Sequence, residues 1–250
     1  MLPLKKTLNA INKKNGTHFE EKQGECPIHG NFVGIVFLDS SGMDIHPLSC
    51  PKCVVHEQRM EVAEDIMKQQ SCRASFAADL CGIPEIYRES NLSEQPFSAA
   101  DYKIVKKIFS TPNMIQSPIQ IWVQGGDDNL RSLAVTSMAM EVIRKSVLSN
   151  SRPSVLYLSL DLAQISWSPV KNEDLLKRWL EPRFLIIDNF VWSAANEYFQ
   201  FFIKSLIRAR FISKRVTVFA FGSGSTDFQE FANSIATARK HIIDLGVKNG

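Results

Sequence analysis

Four residues in two short motifs are the best placed to do chemistry. Cys26-Pro27-Ile28-His29 is C-x2-H and Cys50-Pro51-Lys52-Cys53 is C-x2-C. Each half brings two soft ligands close enough to share one ion, and the neighbouring Pro and Gly residues suit the tight knuckles that aim sulfur and imidazole inward. One tetrahedral zinc held by Cys26, His29, Cys50 and Cys53 is the chemistry this pattern predicts. His46 and His56 lie outside the knuckles and are weaker alternatives. Cys72 and Cys81 fall in a helical stretch and read as small buried residues.

A second constellation lies in the C-terminal half. Ile119 to Val123 is a short apolar run, Gly125-Gly126 is a turn, and Leu130, Leu133, Ala134, Met138 and Val142 recur at helical spacing. Strand, glycine turn and helix form the unit that cradles phosphates in nucleotide-binding α/β proteins. The chemistry of that cradle is missing. A phosphate loop needs its glycines further apart, followed by Lys and Ser/Thr. Here Asp127 and Asp128 follow the glycines, and two carboxylates repel a triphosphate.

The elements that position these residues follow from periodicity. Asn31 to Leu38 reads as a strand and Asp39 to Gly42 as a turn, so a hairpin is expected between the two knuckles, a zinc ribbon. So small a ribbon depends on its metal for stability. Val54 to Leu80 reads as one or two linker helices, closed by Cys81-Gly82-Ile83-Pro84. Ser98-Ala99-Ala100-Asp101 reads as a helix start, with Tyr102 to Phe109 in the helix. The runs Ile119–Val123, Val155–Leu160, Phe184–Asp188 and Val216–Phe221 read as buried parallel strands, with a weaker fifth at His241–Leu245. Phe184–Asp188 is expected to lie alongside Ile119–Val123. Phe199, Phe202, Ile203 and Leu206 form the core face of a helix. Leu4, Leu8 and Ile11 mark a basic amphipathic arm with Lys5, Lys6, Lys13 and Lys14, broken at Asn15-Gly16; it is either a solvated terminus or a helix that docks on a partner.

Knuckles of the form Cys-Pro-x-His-Gly and Cys-Pro-x-Cys, a charged helix, Gly82-Ile83-Pro84 followed by Tyr87-Arg88, and then a strand–turn–helix resemble the DnaC-type helicase-loader family. The likeness is nearest to its phage and prophage members, which carry a zinc module ahead of an AAA+-like domain. It implies a P-loop NTPase sheet with helices on both faces behind a small zinc ribbon and a helical linker. It divides the chain into an arm (1–20), a ribbon (21–56), a linker and entry segment (57–97) and a degenerate AAA+-like domain (98–250). The place of the catalytic lysine falls at Leu130 or Arg131. Asp188 stands where the family holds magnesium, and Asn189 where it has the glutamate that activates water; an amide cannot accept that proton. Gly125, Gly126, Arg131, Asp188 and Asn189 are thus a vestigial nucleotide site, with ATP and magnesium unbound or unhydrolysed. Tyr87 and Arg88 read as packing residues at the domain entrance, the alternative implied by the resemblance being a place near the adenine pocket. Trp167, Arg208, Arg210, Lys214 and Arg215 are the residues offered to single-stranded DNA.

A net charge of +3 permits nucleic-acid binding without demanding it. No apolar run reaches membrane-spanning length, and the N-terminus lacks a signal peptide, so a cytoplasmic chain with reduced thiols is expected. The leading expectation is a replication factor that binds a hexameric replicative helicase, with self-association open and catalysis lost. The alternatives are an active P-loop ATPase with an unusual loop and a zinc-ribbon nucleic-acid binder whose α/β domain is a scaffold.

Overall fold

Alternate residues of the central strands are buried on opposite sides, and this dictates a sheet covered on both faces. In the computed structural model, which describes residues 18–39, 41–44, 46, 48–110, 119–159, 173–193, 195–222, 225–235 and 240–246, Ile121 and Val123 enter one core while Trp122 enters the other. Phe184 and Ile186 join the first, and Leu185 and Ile187 the second. The chain forms two compact units, Met1–Gln69 and Gln70–Gly250.

The second unit is a five-stranded parallel sheet. Its strands are β3 (Gln120–Gln124), β4 (Val155–Ser159), β5 (Phe184–Phe190), β6 (Val216–Phe221) and β7 (Lys240–Asp244), in the order β4-β5-β6-β3-β7. The helices are α2 (Ala99–Ser110), α3 (Asp128–Leu148), α4 (Glu173–Leu180), α5 (Glu197–Ile212) and α6 (Ser225–Ser234). Helices α2 and α3 pack on the first face, while α4, α5 and α6 enclose an aromatic core on the other. There Phe231 lies 5.0–5.2 Å from the rings of Trp122, Phe190, Trp192, Phe219 and Phe221. Ser98 starts α2 as expected: its hydroxyl accepts from the Asp101 N–H at 3.1 Å and donates to the Asp101 carboxylate at 2.5 Å.

One expectation fails. Strand β5 does not lie alongside β3, because β6 is inserted between them and pairs with both. Local periodicity identifies strands but carries no information about their order.

The first unit contains a hairpin, β1 (His18–Cys26) with β2 (Gly30–Leu38), paired from His18–Leu38 to Cys26–Gly30. The ribbon has one strand more than expected: β1 precedes the first knuckle, which lies at the β1–β2 turn. Between the knuckles the expected turn is present, with the Asp39 N–H donating to the Met43 carbonyl at 2.9 Å and an antiparallel bridge from Leu38 to Asp44. A Cβ on Gly24 would meet Phe32 at 2.7 Å and Leu48 at 2.8 Å, and one on Gly34 would meet Leu48 at 2.6 Å. The two glycines therefore make room for the returning chain on one hairpin face. Helix α1 (Pro51–Leu80) is a single helix of 30 residues, begins three residues earlier than expected, and contains the division between the units. Cys81 is buried as expected, but Cys72 is exposed, because among the residues of α1 only Ala74 and Ala78 are buried. No helix among the described residues is long and apolar enough to cross a membrane.

Candidate functional site: a metal cluster and a self-filled glycine turn

The two knuckles converge. Cys26, His29, Cys50 and Cys53 each offer one ligand atom, all within 4.8 Å of one another. Cys26 Sγ lies 3.6 Å from Cys53 Sγ, and His29 Nδ1 lies 3.7, 3.6 and 3.4 Å from the sulfurs of Cys26, Cys50 and Cys53. Zinc–ligand bonds of tetrahedral geometry give edges of about 3.8 Å between two sulfurs and about 3.6 Å between sulfur and nitrogen. The donor set and its spacing therefore fit one tetrahedral metal, bound through Nδ1 of His29. The backbone N–H groups of Ile28 and His29 point at the Cys26 sulfur and hold its thiol well below the usual range. The hydrogen bond to Cys26 pushes the Cys53 thiol up. One sulfur of the cluster is thus prepared as a thiolate by the knuckle itself. Among the described residues His46 and His56 are not part of the cluster.

The glycine turn after β3 is occupied by the protein's own side chains. Gly125 and Gly126 have φ of +74° and +62°, so both carbonyls are free to turn inward. Arg131 is buried and donates through Nη1 to the carbonyls of Gly125 at 2.9 Å and Gly126 at 2.6 Å, and through Nη2 to the Asp128 carboxylate. A phosphate nest presents N–H groups to an anion. This turn presents carbonyl oxygens to a cation. The start of α3 is closed too, because the Asp127 carboxylate caps it by accepting from the Leu130 N–H at 2.7 Å. The two carboxylates that argue against ATP in the sequence therefore have separate structural duties.

Strand β7 seals the turn from the side. Leu245 N–H donates to the Gln124 carbonyl at 2.8 Å, and Gln124 Nε2 donates to Asp244 at 3.1 Å. A Cβ on Gly125 would lie 2.2 Å from Asp244 Oδ1, so the closure depends on glycine there.

Asp188 ends the buried part of β5. Its carboxylate accepts from the Tyr157 hydroxyl at 2.5 Å and the Asn189 N–H at 2.9 Å, bonds to Ser132, and feels the charge of Arg131. Burial raises its pKa, against the opposing pull of these partners. In working P-loop enzymes the loop Ser/Thr and the strand-end Asp share magnesium. Here the corresponding groups, Ser132 and Asp188, bond each other. Ser132 and Tyr157 are the residues that the sequence reading misses. The signal for Ser132 was present: Gly125, four residues, Leu130, Arg131 and Ser132 reproduce the phosphate-loop spacing with its second glycine and its lysine replaced. By that spacing Arg131, rather than Leu130, coincides with the lysine of the phosphate-loop pattern. Asn189 lies at a β-bulge with φ +53°, a left-handed conformation that Asn tolerates better than most residues.

The other expected residues separate. Tyr87 and Arg88 lie in and just after the short 3-10 turn Glu85–Tyr87. Tyr87 donates from its hydroxyl to Asn129 at 3.1 Å, while Arg88 bonds the Ile83 carbonyl at 3.2 Å and Asp79 at 2.5 Å. Arg210 is not offered to DNA. It is fully buried and donates to Thr217 Oγ1 at 2.9 Å and to the carbonyls of Trp179 and Pro182, both at 2.8 Å, fastening the end of α4 to the sheet. Burial, and secondarily Arg215, lowers its pKa to about 9. Arg208 and Lys214 are exposed and Arg215 is partly so. Leu4, Leu8, Ile11 and Trp167 lie outside the described residues.

The parallel sheet is entered by a strand–glycine turn–helix unit with an acidic strand end across from it, and the glycine turn is filled by Arg131. No protein-family model and no curated protein matches the chain. Solved structures do. The chain is similar to the DnaI crystal structure (12% identity over 66% of this chain and 93% of that one, TM-score 0.48) and to the DnaC helicase loader (14%, 64% and 99%, TM-score 0.46). It is similar also to the replication initiator DnaA bound to AMPPCP and single-stranded DNA (13%, 64% and 51%, TM-score 0.47).

Proposed function

We propose that this chain is a helicase-loader-like DNA replication factor that acts by binding, not by nucleotide chemistry. It would engage a hexameric replicative DNA helicase, with an arm, a zinc ribbon and a linker ahead of the α/β domain. The observation that carries the second half of this reading is Arg131, which fills the turn where a triphosphate would lie. The first half rests on the order of knuckles, charged helix and Gly-Ile-Pro entry. Zinc is the metal that the two knuckles would hold.

Contact with single-stranded DNA would use the outer side of α5. Exposed Tyr198 and Phe201 there accompany Lys204 and Arg208, with exposed Lys214 just past the end of the helix. Base stacking and a basic strip are what an unpaired strand needs. The test is co-purification of the zinc-loaded full chain with the host replicative helicase, with and without ATP. We expect a complex at low salt whose yield ATP leaves unchanged. Failure to associate would overturn the loader reading, and magnesium-dependent ATP turnover would overturn the loss of catalysis.

A further inference from the structure

The hairpin of the first unit has two unlike faces. Leu48 covers one, next to Gly24 and Gly34. On the other, the register places Phe19 opposite Phe37, Glu21 opposite Ile35, Gln23 opposite Val33 and Glu25 opposite Asn31. Strand β2 thus presents an apolar row, with Val33 57% and Ile35 39% exposed, beside an acidic row from β1. The one base of β1 among its described side chains, Lys22, is paired with Asp44 on the covered side at 2.7 Å. A two-stranded hairpin is marginal in water by itself, and an apolar face left wet adds nothing to its stability.

We propose that this face is covered by the chain's own N-terminal arm, residues 1–16. Three observations favour the arm as the occupant. Its charge is complementary: residues 1–17 hold Lys5, Lys6, Lys13 and Lys14 and no acid, while the open face of β1 carries Glu21 and Glu25. Its apolar residues match in reach. Leu4 to Ile11 as a helix spans roughly 10 Å, and Val33 to Phe37 along a strand spans roughly 13 Å. Its attachment is right as well. The arm joins β1 at His18, opposite Leu38 and next to Phe37, and Asn15-Gly16 supplies a turn that would fold it back over the face. A tether this short gives an effective concentration in the millimolar range, so modest contacts suffice. Arm and hairpin face mask each other, and a partner that takes one exposes the other.

The test is tryptic cleavage of the zinc-loaded full chain, followed by mass spectrometry of cuts after Lys5, Lys6, Lys13 and Lys14. Val33→Glu/Ile35→Glu alters only exposed positions, and zinc content reports whether the ribbon stays folded. We expect the arm to be lost about tenfold faster in this variant, with wild-type protection independent of protein concentration. Glu21→Gln/Glu25→Gln, which leaves the apolar row intact, is expected to lie between the two and to converge on wild type at high salt, where screening removes the charge contribution. Equal cleavage rates in all three chains would overturn the proposal. So would protection that rises with protein concentration, since a second copy would then cover the face.

Discussion

Arg131 shows what a guanidinium does in a glycine turn. A lysine is a point charge suited to a phosphate, whereas a guanidinium is a fork suited to several acceptors at once. With Gly125, Gly126 and Asp128 all accepting from it, Arg131 is part of the fold. Arg131→Ala is expected to cost about 2 kcal/mol, because it strands two turned-in carbonyls, while the exposed Asp128 carboxylate passes to water. Arg131→Lys should cost about half as much and bring no gain in ATP affinity; thermal melts and a nucleotide titration on the same samples check both. Asp188 gives a pH signature. Its folded-state pKa is raised, so the native state binds the proton more tightly than the unfolded chain. Its contribution is therefore most favourable at low pH and declines as pH rises from about 4 through the raised value. Asp188→Asn should remove that decline, seen as the difference between wild-type and variant melting temperatures across pH 4 to 8. Asn189 is constrained by its backbone as much as by its chemistry. Asn189→Glu places a longer side chain at φ +53°, which should cost roughly 1 kcal/mol and restore no hydrolysis.

At the scale of elements, the two glycine-dependent closures make separable predictions. Gly125→Ala would drive a methyl into Asp244 and strain a positive φ, and should destabilise by more than about 2 kcal/mol in chemical denaturation. Gly82, at φ +82°, would put a Cβ 2.7 Å from the Tyr157 carbonyl, so Gly82→Ala should loosen the entry segment from β4. Periodicity captured most elements: β3, β5, β6 and β7, and the cores of α2, α3 and α5, fall where alternation or the i, i+3, i+4 rule places them. It missed β1, because the polar run His18–Cys26 shows no apolar alternation and becomes a strand only by pairing with β2. It misjudged the side of Cys72, because α1 has too weak an apolar face to say which side is buried. The knuckles were legible because ligand spacing is a local property. The contact of Ser132 with Asp188 was not, because it joins residues 56 positions apart through the tertiary fold.

Across the whole molecule, the metal cluster and the sheet belong to different compact units and should fail separately. Chelation of the metal is expected to abolish the hairpin signal and to free the thiols of Cys26, Cys50 and Cys53. The cooperative melting of the α/β unit should remain within a few degrees of its starting value. Simultaneous loss of both would show that the units are thermodynamically one. Metal analysis should give one equivalent of zinc per chain, and Cys50→Ser should eliminate it.

The side chain lodged in the turn after β3 has a consequence for timing. A switch that reads nucleotide senses the energy state of the cell and resets with each round of hydrolysis. On the proposed reading, a chain latched from inside does not distinguish starvation from plenty, and its action would be scheduled from outside, by how much of it is synthesised or by the cycle of whatever it holds.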